Sequence, residues 1–140
     1  MSSDAARLRR ARLIERMRSA EQRQAAAEAH RAEAVRQKLE QLSARTRTLA
    51  ELYTLRDTSR DGADLRSASV LGSHLRDLGA TAARQAADAR READDRLADL
   101  AVADRRLQHA EEGRRDLARA IDEKADRDEI PRMRKNWHAS

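Results

Sequence analysis

The sequence has no cysteine and no phenylalanine, and it has one tryptophan, one tyrosine and one proline among 140 residues. Without cysteine it can form no disulfide, thiolate metal site or cysteine nucleophile. It has no run of about 18 apolar residues, so no membrane-spanning helix is predicted. The N-terminus lacks the apolar segment of a secretory signal. Its arginines resemble those of a transit peptide, but interspersed acids favour the start of an ordinary helix.

Large apolar side chains are also few, because 29 of the residues counted as hydrophobic are alanine. Alanine, leucine, arginine, glutamate and glutamine are strong helix formers, and 39% of the chain is charged. This composition is typical of long helices and coiled coils rather than of globular domains. Disorder is the alternative, since the mean hydropathy is −0.95. Regular heptad-like spacing favours the helical interpretation.

Turn-forming residues cluster at one place, Asp57–Asp64, between two long helical stretches. We therefore predict an all-α fold, an antiparallel two-helix coiled-coil hairpin in the form of an elongated rod. The hairpin would occupy residues 1–130 as a single domain, with helices over 5–56 and 67–129 and a bend over 57–66. Ile130-Pro131 is expected to end the second helix, which leaves 131–140 as a basic flexible tail. The alternative is an intermolecular bundle in which the Gly62 region is only a kink.

Each helix has a predicted apolar seam with alternating spacings of three and four residues. The first seam begins with Leu13, Met17, Ala20, Gln24, Ala27, Arg31 and Ala34, and shifts by one residue to Val35, Leu39, Leu42, Thr46, Leu49 and Tyr53. The second contains Leu71, Leu75, Leu78, Ala82, Ala86, Ala89, Ala93, Leu97, Leu100, Leu107, Leu117 and Ile121. Gly72 and Gly79 either weaken the tip or allow the two backbones to approach closely.

The net charge of +5 is concentrated at the two ends of the chain. Residues 1–24 contain seven arginines and three acids, and residues 127–140 contain four basic and two acidic residues. A hairpin would bring these ends together as a cationic surface that attracts an acidic partner. The predicted partner-binding residues are Arg7, Arg9, Arg10, Arg12, Arg16, Arg127, Arg132, Arg134 and Trp137.

Two other partners for a basic surface are weaker candidates. Specific nucleic-acid modules add aromatic side chains or a recognisable motif, and this chain has neither, so only non-specific binding at low salt is expected. A membrane-surface helix would use Leu8, Leu13, Ile14 and Met17, which form a modest apolar face.

No catalytic motif is visible in the sequence. The four histidines have no metal-ligand spacing, the four glycines form no phosphate loop, and the acidic pairs are typical of solvated helix faces. We therefore predict a protein that is not an enzyme and has no cofactor and no metal site.

The long arginine-rich first helix, the central bend, and a second helix ending in Arg114-Arg115-Asp116-Leu117 through Asp126-Arg127-Asp128-Glu129-Ile130 resemble the flagellar type III export protein FliJ and the injectisome stalk proteins. The resemblance covers about Arg7 to Ile130. The chain departs from that family in its few aromatics, Pro131 and its short basic tail.

The resemblance implies a central stalk of the export ATPase, similar to the stalk of rotary ATPases. Such a protein would occupy the pore of the ATPase hexamer, contact the export gate and the substrate chaperones, and be cytoplasmic at the inner face of the cell membrane. It would be a monomer when free. Flagellar biogenesis, protein transport and motility would depend on it.

Two alternatives remain open from the sequence. One is a generic coiled-coil scaffold or adaptor that dimerises through its alanine-rich seams. The other is a non-specific nucleic-acid-binding coiled coil.

Overall fold

The computed structural model describes the backbone of residues 2–56 and 62–138 and the side chains of residues 3–54 and 65–129. It contains two helices, α1 over Ser2–Arg56 with 55 residues and α2 over Gly62–His138 with 77 residues. The two long helices pack against each other. The prediction of an all-α two-helix hairpin is therefore confirmed.

The start of α2 differs from its predicted position. The helix begins at Gly62 instead of residue 67, and residues 57–61 of the predicted bend lie outside the described part of the chain. The prediction placed the start later because turn-forming residue types continue to Asp64 and Ser67. Such residue types favour turns but are not excluded from the beginning of a helix.

The end of α2 also differs from the prediction, because its backbone stays helical through Pro131 to His138. Proline removes one backbone hydrogen bond from a helix and costs about 3 kcal/mol, but it does not make the α conformation impossible. The side chains from Ile130 onward lie outside the described residues, so the predicted tail is known here only by its helical backbone.

The contacts within the chain group into two compact units. Unit 1 comprises Met1–Ala25 and Leu100–Ser140, and unit 2 comprises Ala26–Asp99. Each unit therefore contains one segment of each helix. Contacts in a helix pair are local along the helices, so a long pair can divide in this way.

Side-chain pairs show that the helices are antiparallel in each unit. In unit 1, Glu15 binds Arg114 and Gln22 binds Asp104, so a later residue of α1 meets an earlier residue of α2. In unit 2, Arg96 Nη1 lies 3.1 Å from Glu28 Oε2. Further along the same unit, Thr46 lies beside Gly79.

The less exposed residues of each helix form one unbroken heptad seam, with alternating steps of three and four residues. In α1 the seam is Asp4, Leu8, Ala11, Glu15, Arg18, Gln22, Ala25, Ala29, Ala32, Arg36, Leu39, Ser43, Thr46, Ala50 and Tyr53. In α2 it is Ala68, Gly72, Leu75, Gly79, Ala82, Ala86, Ala89, Ala93, Arg96, Leu100, Ala103, Leu107, Ala110, Arg114, Leu117 and Ile121.

The predicted seam of α1 is wrong over its first half. All seven residues assigned to it from Leu13 to Ala34 are exposed, and the predicted shift at residue 35 does not occur. In the second half Leu39, Thr46 and Tyr53 were placed correctly, whereas Val35, Leu42 and Leu49 are exposed. In α2 most of the predicted residues lie on the seam, and the exceptions are Leu71, Leu78 and Leu97, which are exposed.

The physical reason is that small residues lie between the helices. The buried apolar residues are Ala29, Ala50, Ala68, Ala82, Ala86, Ala89, Ala93 and Ala103. Most of them lie in unit 2, where alanine at the seam lets the backbones approach closely, so that many weak dispersion contacts form. Later in α1 and at the start of α2 the prediction favoured leucine, as at Leu42, Leu49 and Leu71, because leucine buries more apolar area per residue.

Candidate docking groove

An open groove of about 840 Å³ lies within unit 1, between the start of α1 and the facing part of α2. Its lining is rich in arginine. The residues are Arg9, Arg10, Arg12, Leu13, Glu15, Arg16 and Ser19 from α1, and Leu107, Glu111 and Arg114 from α2. Two leucines lie among five arginines and two glutamates, so the groove combines apolar surface with net positive charge.

Helical spacing places these arginines on one side of α1. Arg9, Arg12 and Arg16 are three and four residues apart, so they lie on neighbouring turns of the same face. This face lies next to the seam residue Glu15 and is therefore directed toward α2. The heptad register of α1 therefore determines which arginines reach the groove.

Ion pairs with α2 hold this part of α1 in place. The guanidinium of Arg114 donates a hydrogen bond to the carboxylate of Glu15, and both side chains are about one-quarter to one-third exposed. Lys124 Nζ of α2 lies 3.5 Å from Asp4 Oδ2 of α1. Two acidic side chains of α1 thus fix the two helices near the groove.

The free charge of the groove comes from arginines without an acidic partner. Among the described residues, none of Arg9, Arg10, Arg12 and Arg16 forms an ion pair. Because Glu15 is already neutralised by Arg114, these guanidinium groups remain available to a carboxylate of another molecule.

The predicted binding residues divide into three groups. Arg9, Arg10, Arg12 and Arg16 line the groove. Two others lie outside it: Arg7 is 3.8 Å from Asp4, and Arg127 Nε donates to the carbonyl oxygen of Glu123 at 3.5 Å. The remaining residues, Arg132, Arg134 and Trp137, lie where the structure describes the backbone only.

The sequence reasoning did not assign three groove residues of α2, Leu107, Glu111 and Arg114. Arg114 was noted only as part of a family-like segment, and Leu107 only as a seam residue. A charged residue in a heptad seam was the available signal, because such a residue needs an opposite charge on the other helix. Glu15 and Arg114 are two residues of this kind.

Unit 2 contains two charge clusters of another type. Arg36 donates hydrogen bonds to Glu33 and to Glu40, and the hydrogen bond from Arg36 lowers the pKa of Glu33. Arg96 bonds to Glu92 and to Glu28, and the hydrogen bond with Glu92 is the main reason that the pKa of Arg96 is raised. These arginines are satisfied within the chain and are therefore structural.

Side chains that bind metals do not cluster in the described part of the chain. No group of three or more histidine, aspartate and glutamate side chains among the described residues could hold a metal ion. His30, His74 and His109 are exposed. Within the same residues, neither helix has a stretch long and apolar enough to cross a membrane.

Comparison with known proteins gives no relative. No family model matches the chain, and no curated protein or solved structure is similar to it.

Proposed function

We propose that this chain is a non-enzymatic docking protein that binds an acidic surface of a partner protein through the arginine groove of unit 1. The observation that carries the proposal is the set of four arginines beside Leu13 and Leu107 that form no ion pair with any described residue. Arginine is a frequent anchor of protein interfaces, because its planar guanidinium binds carboxylates in pairs of hydrogen bonds while its stem packs on apolar groups.

The resemblance to FliJ gives the proposal its specific form. The partner would be the hexameric ATPase of the flagellar type III export apparatus, with this hairpin as its central stalk at the cytoplasmic face of the membrane, in contact with the export gate and substrate chaperones. The two-helix hairpin and the cationic groove near the N-terminus are compatible with that role. The specific form rests on the resemblance and on fold-level analogy.

Co-purification tests the groove. Tagged full-length chain should retain the export ATPase and raise its rate of ATP hydrolysis, and the variant R12E/R16E should lose both effects. The matched control is R105E/R106E, which reverses two exposed arginines of unit 1 outside the groove and should keep both effects. Equal loss in the two variants would show that net charge, and not the groove, is responsible.

A deletion strain tests the role in export. Loss of motility is expected when the gene is removed and the rest of the export apparatus is intact. Normal motility would contradict the export form of the proposal and leave the groove available for a different acidic protein.

A scaffold that dimerises is the second candidate, and exposed leucines favour it. The structure changes how such a dimer could form. The alanine-rich seams are already packed together within the chain, so a second copy would have to use another face.

A further inference from the structure

Unit 2 leaves large apolar side chains exposed while it buries alanine. Its exposed large apolar residues include Val35, Leu42 and Leu49 of α1 and Leu71 and Leu78 of α2, with exposed fractions between 42% and 60%. Single exposed leucines are normal on a protein surface, but a contiguous row of them marks an interaction surface.

The heptad register shows that these five residues lie in one row, in which Gln85 and Glu92 hold the same position on α2. Each of the five directly precedes a seam residue of its own helix, as Leu42 precedes Ser43 and Leu78 precedes Gly79. A shallow groove in the same unit contains Val35 of α1 together with Glu92 of α2, which also directly precedes a seam residue. Residues that directly precede a seam residue therefore lie on the same side of the helix pair, whether they belong to α1 or to α2. We call the five residues the apolar flank.

The apolar flank is long enough for a helical interface. Thr46 lies beside Gly79, and this pairing places Leu49 at the level of Leu78, with Leu71 about two turns further along. From the level of Val35 to that of Leu71 the row extends about 30 Å, at about 1.5 Å per residue. Within this length the five side chains recur every seven residues on each helix, as in a helical bundle.

Opposite charges border the apolar flank on its two edges. Arg31 and Lys38 follow seam residues of α1 by two positions, which places them beyond the flank on the α1 edge. Asp88 and Asp95 hold the same heptad position on the α2 edge, where Asp88 also pairs with Arg91 of its own helix. The pairing of Glu28 with Arg96 sets Arg31 level with Asp95, and Lys38 level with Asp88.

We propose that the apolar flank of unit 2 binds the same flank of a second copy of this chain, with the two copies pointing in the same direction. A two-fold axis along the helices would place α1 of one copy against α2 of the other. Lys38 and Arg31 of each copy then lie beside acidic residues of the other copy. The leucines of the two flanks pack against each other at the centre of the interface. The same surface on each copy thus provides both partners of every contact, as an isologous dimer requires.

The opposite direction is disfavoured by the same charges. A two-fold axis across the helices would set α1 against α1, and the basic edges of both copies would lie together. Like charges across an interface reduce affinity and exclude that arrangement. The dimer does not depend on the arginine groove, and it differs from the monomer expected of an export stalk.

Light scattering on the purified full chain tests the dimer. The wild-type chain should have twice the mass of 15.8 kDa at tens of micromolar, and L42E/L49E should have the mass of a monomer. The matched control is L97E, which changes another half-exposed leucine of unit 2 that does not directly precede a seam residue and should keep the dimer. Far-UV circular dichroism of equal strength in all three proteins shows that the helices are intact.

Charge exchange tests the direction of the two copies. K38D should weaken the dimer about tenfold, because it sets two like charges together twice in each dimer, and K38D/D88K should restore it. A wild-type monomer at every concentration would overturn the proposal, even if another protein bound the flank. A dimer that K38D/D88K does not restore would overturn the parallel arrangement.

Discussion

At the scale of the residue, the feature that matters most is alanine between the helices. Ala93 is 1% exposed and is the most deeply buried of the apolar residues in the described chain. Gly79 lies so close to the other helix that an added Cβ would stand 3.7 Å from Thr46 Cγ2. Such spacing leaves room for a methyl group and little more, so side-chain size is the property that the seam selects.

Enlarging Ala93 should destabilise the hairpin. We expect A93L to lower the free energy of unfolding by about 1–3 kcal/mol, because the extra methylenes force the helices apart. Urea unfolding followed by circular dichroism measures the change. The control A34L adds the same atoms at an exposed position of α1 and should change stability by less than about 0.5 kcal/mol. Equal stability of A93L and the wild type would contradict the close seam.

The Arg36 cluster predicts a pH effect at one residue. The hydrogen bond from Arg36 lowers the pKa of Glu33 in the folded protein. The stability that this hydrogen bond contributes is therefore present above the ordinary carboxyl pKa and is lost as the pH falls through the lowered pKa of the folded state. In R36Q the midpoint of the Glu33 titration should rise toward the ordinary value. Side-chain NMR titration measures this midpoint. R31Q is the control and should leave it unchanged.

At the scale of the element, the glycines of α2 distinguish two interpretations of the sequence, a locally weakened helix and a close approach of the two backbones. Among the residues whose side chains are described, neither an added Cβ at Gly72 nor one at Gly113 would have a neighbour within 4 Å, and the Cβ at Gly79 would make an ordinary contact. The backbone is helical at all three positions, so none of them needs the special conformations of glycine. Glycine here weakens the helix and is not required for close approach.

Alanine at these positions should therefore stabilise the protein. We expect G72A and G113A each to raise the free energy of unfolding by up to about 1 kcal/mol, since alanine is the better helix former and restricts the unfolded chain. Thermal unfolding of each variant measures the gain. A loss of stability in G72A, with a gain in G113A, would mean that the seam needs glycine at residue 72.

At the scale of the whole molecule, nearly every residue belongs to a helix. The two helices contain 55 and 77 of the 140 residues, and the described chain holds no large buried side chain. The fold is thus stabilised by helix propensity and by many small contacts along the seam. Ion pairs such as Glu15 with Arg114 specify the alignment of the two helices more than they stabilise the fold, because exposed pairs contribute about 0–1 kcal/mol each.

Circular dichroism tests this architecture directly. The purified chain should give the far-UV spectrum of an almost fully helical protein in ordinary buffer, without added alcohol. A spectrum dominated by coil would support the disorder alternative that the low mean hydropathy of −0.95 left open.

The sequence was sufficient for the helical class, the helix pair and the end of α1 at Arg56. The three- and four-residue spacing also implies that Arg9, Arg12 and Arg16 share one face of α1 whatever they contact, while their binding of a partner stays a prediction. The sequence did not predict the α2 side of the groove, since Glu111 and Arg114 join it only through the alignment of the two helices. That alignment depends on contacts between residues far apart in the chain.

By itself the sequence determined that the chain forms two helices, since helix propensity and the clustered turn residues act locally. Only the tertiary structure decided which stripe of each helix is buried. Leucine and alanine both recur at heptad spacing, on adjacent stripes, so periodicity alone does not choose between Leu42 and Ser43. Small residues occupy the seam because the backbones are close together there. The leucines therefore lie on the surface, where a second chain can cover them.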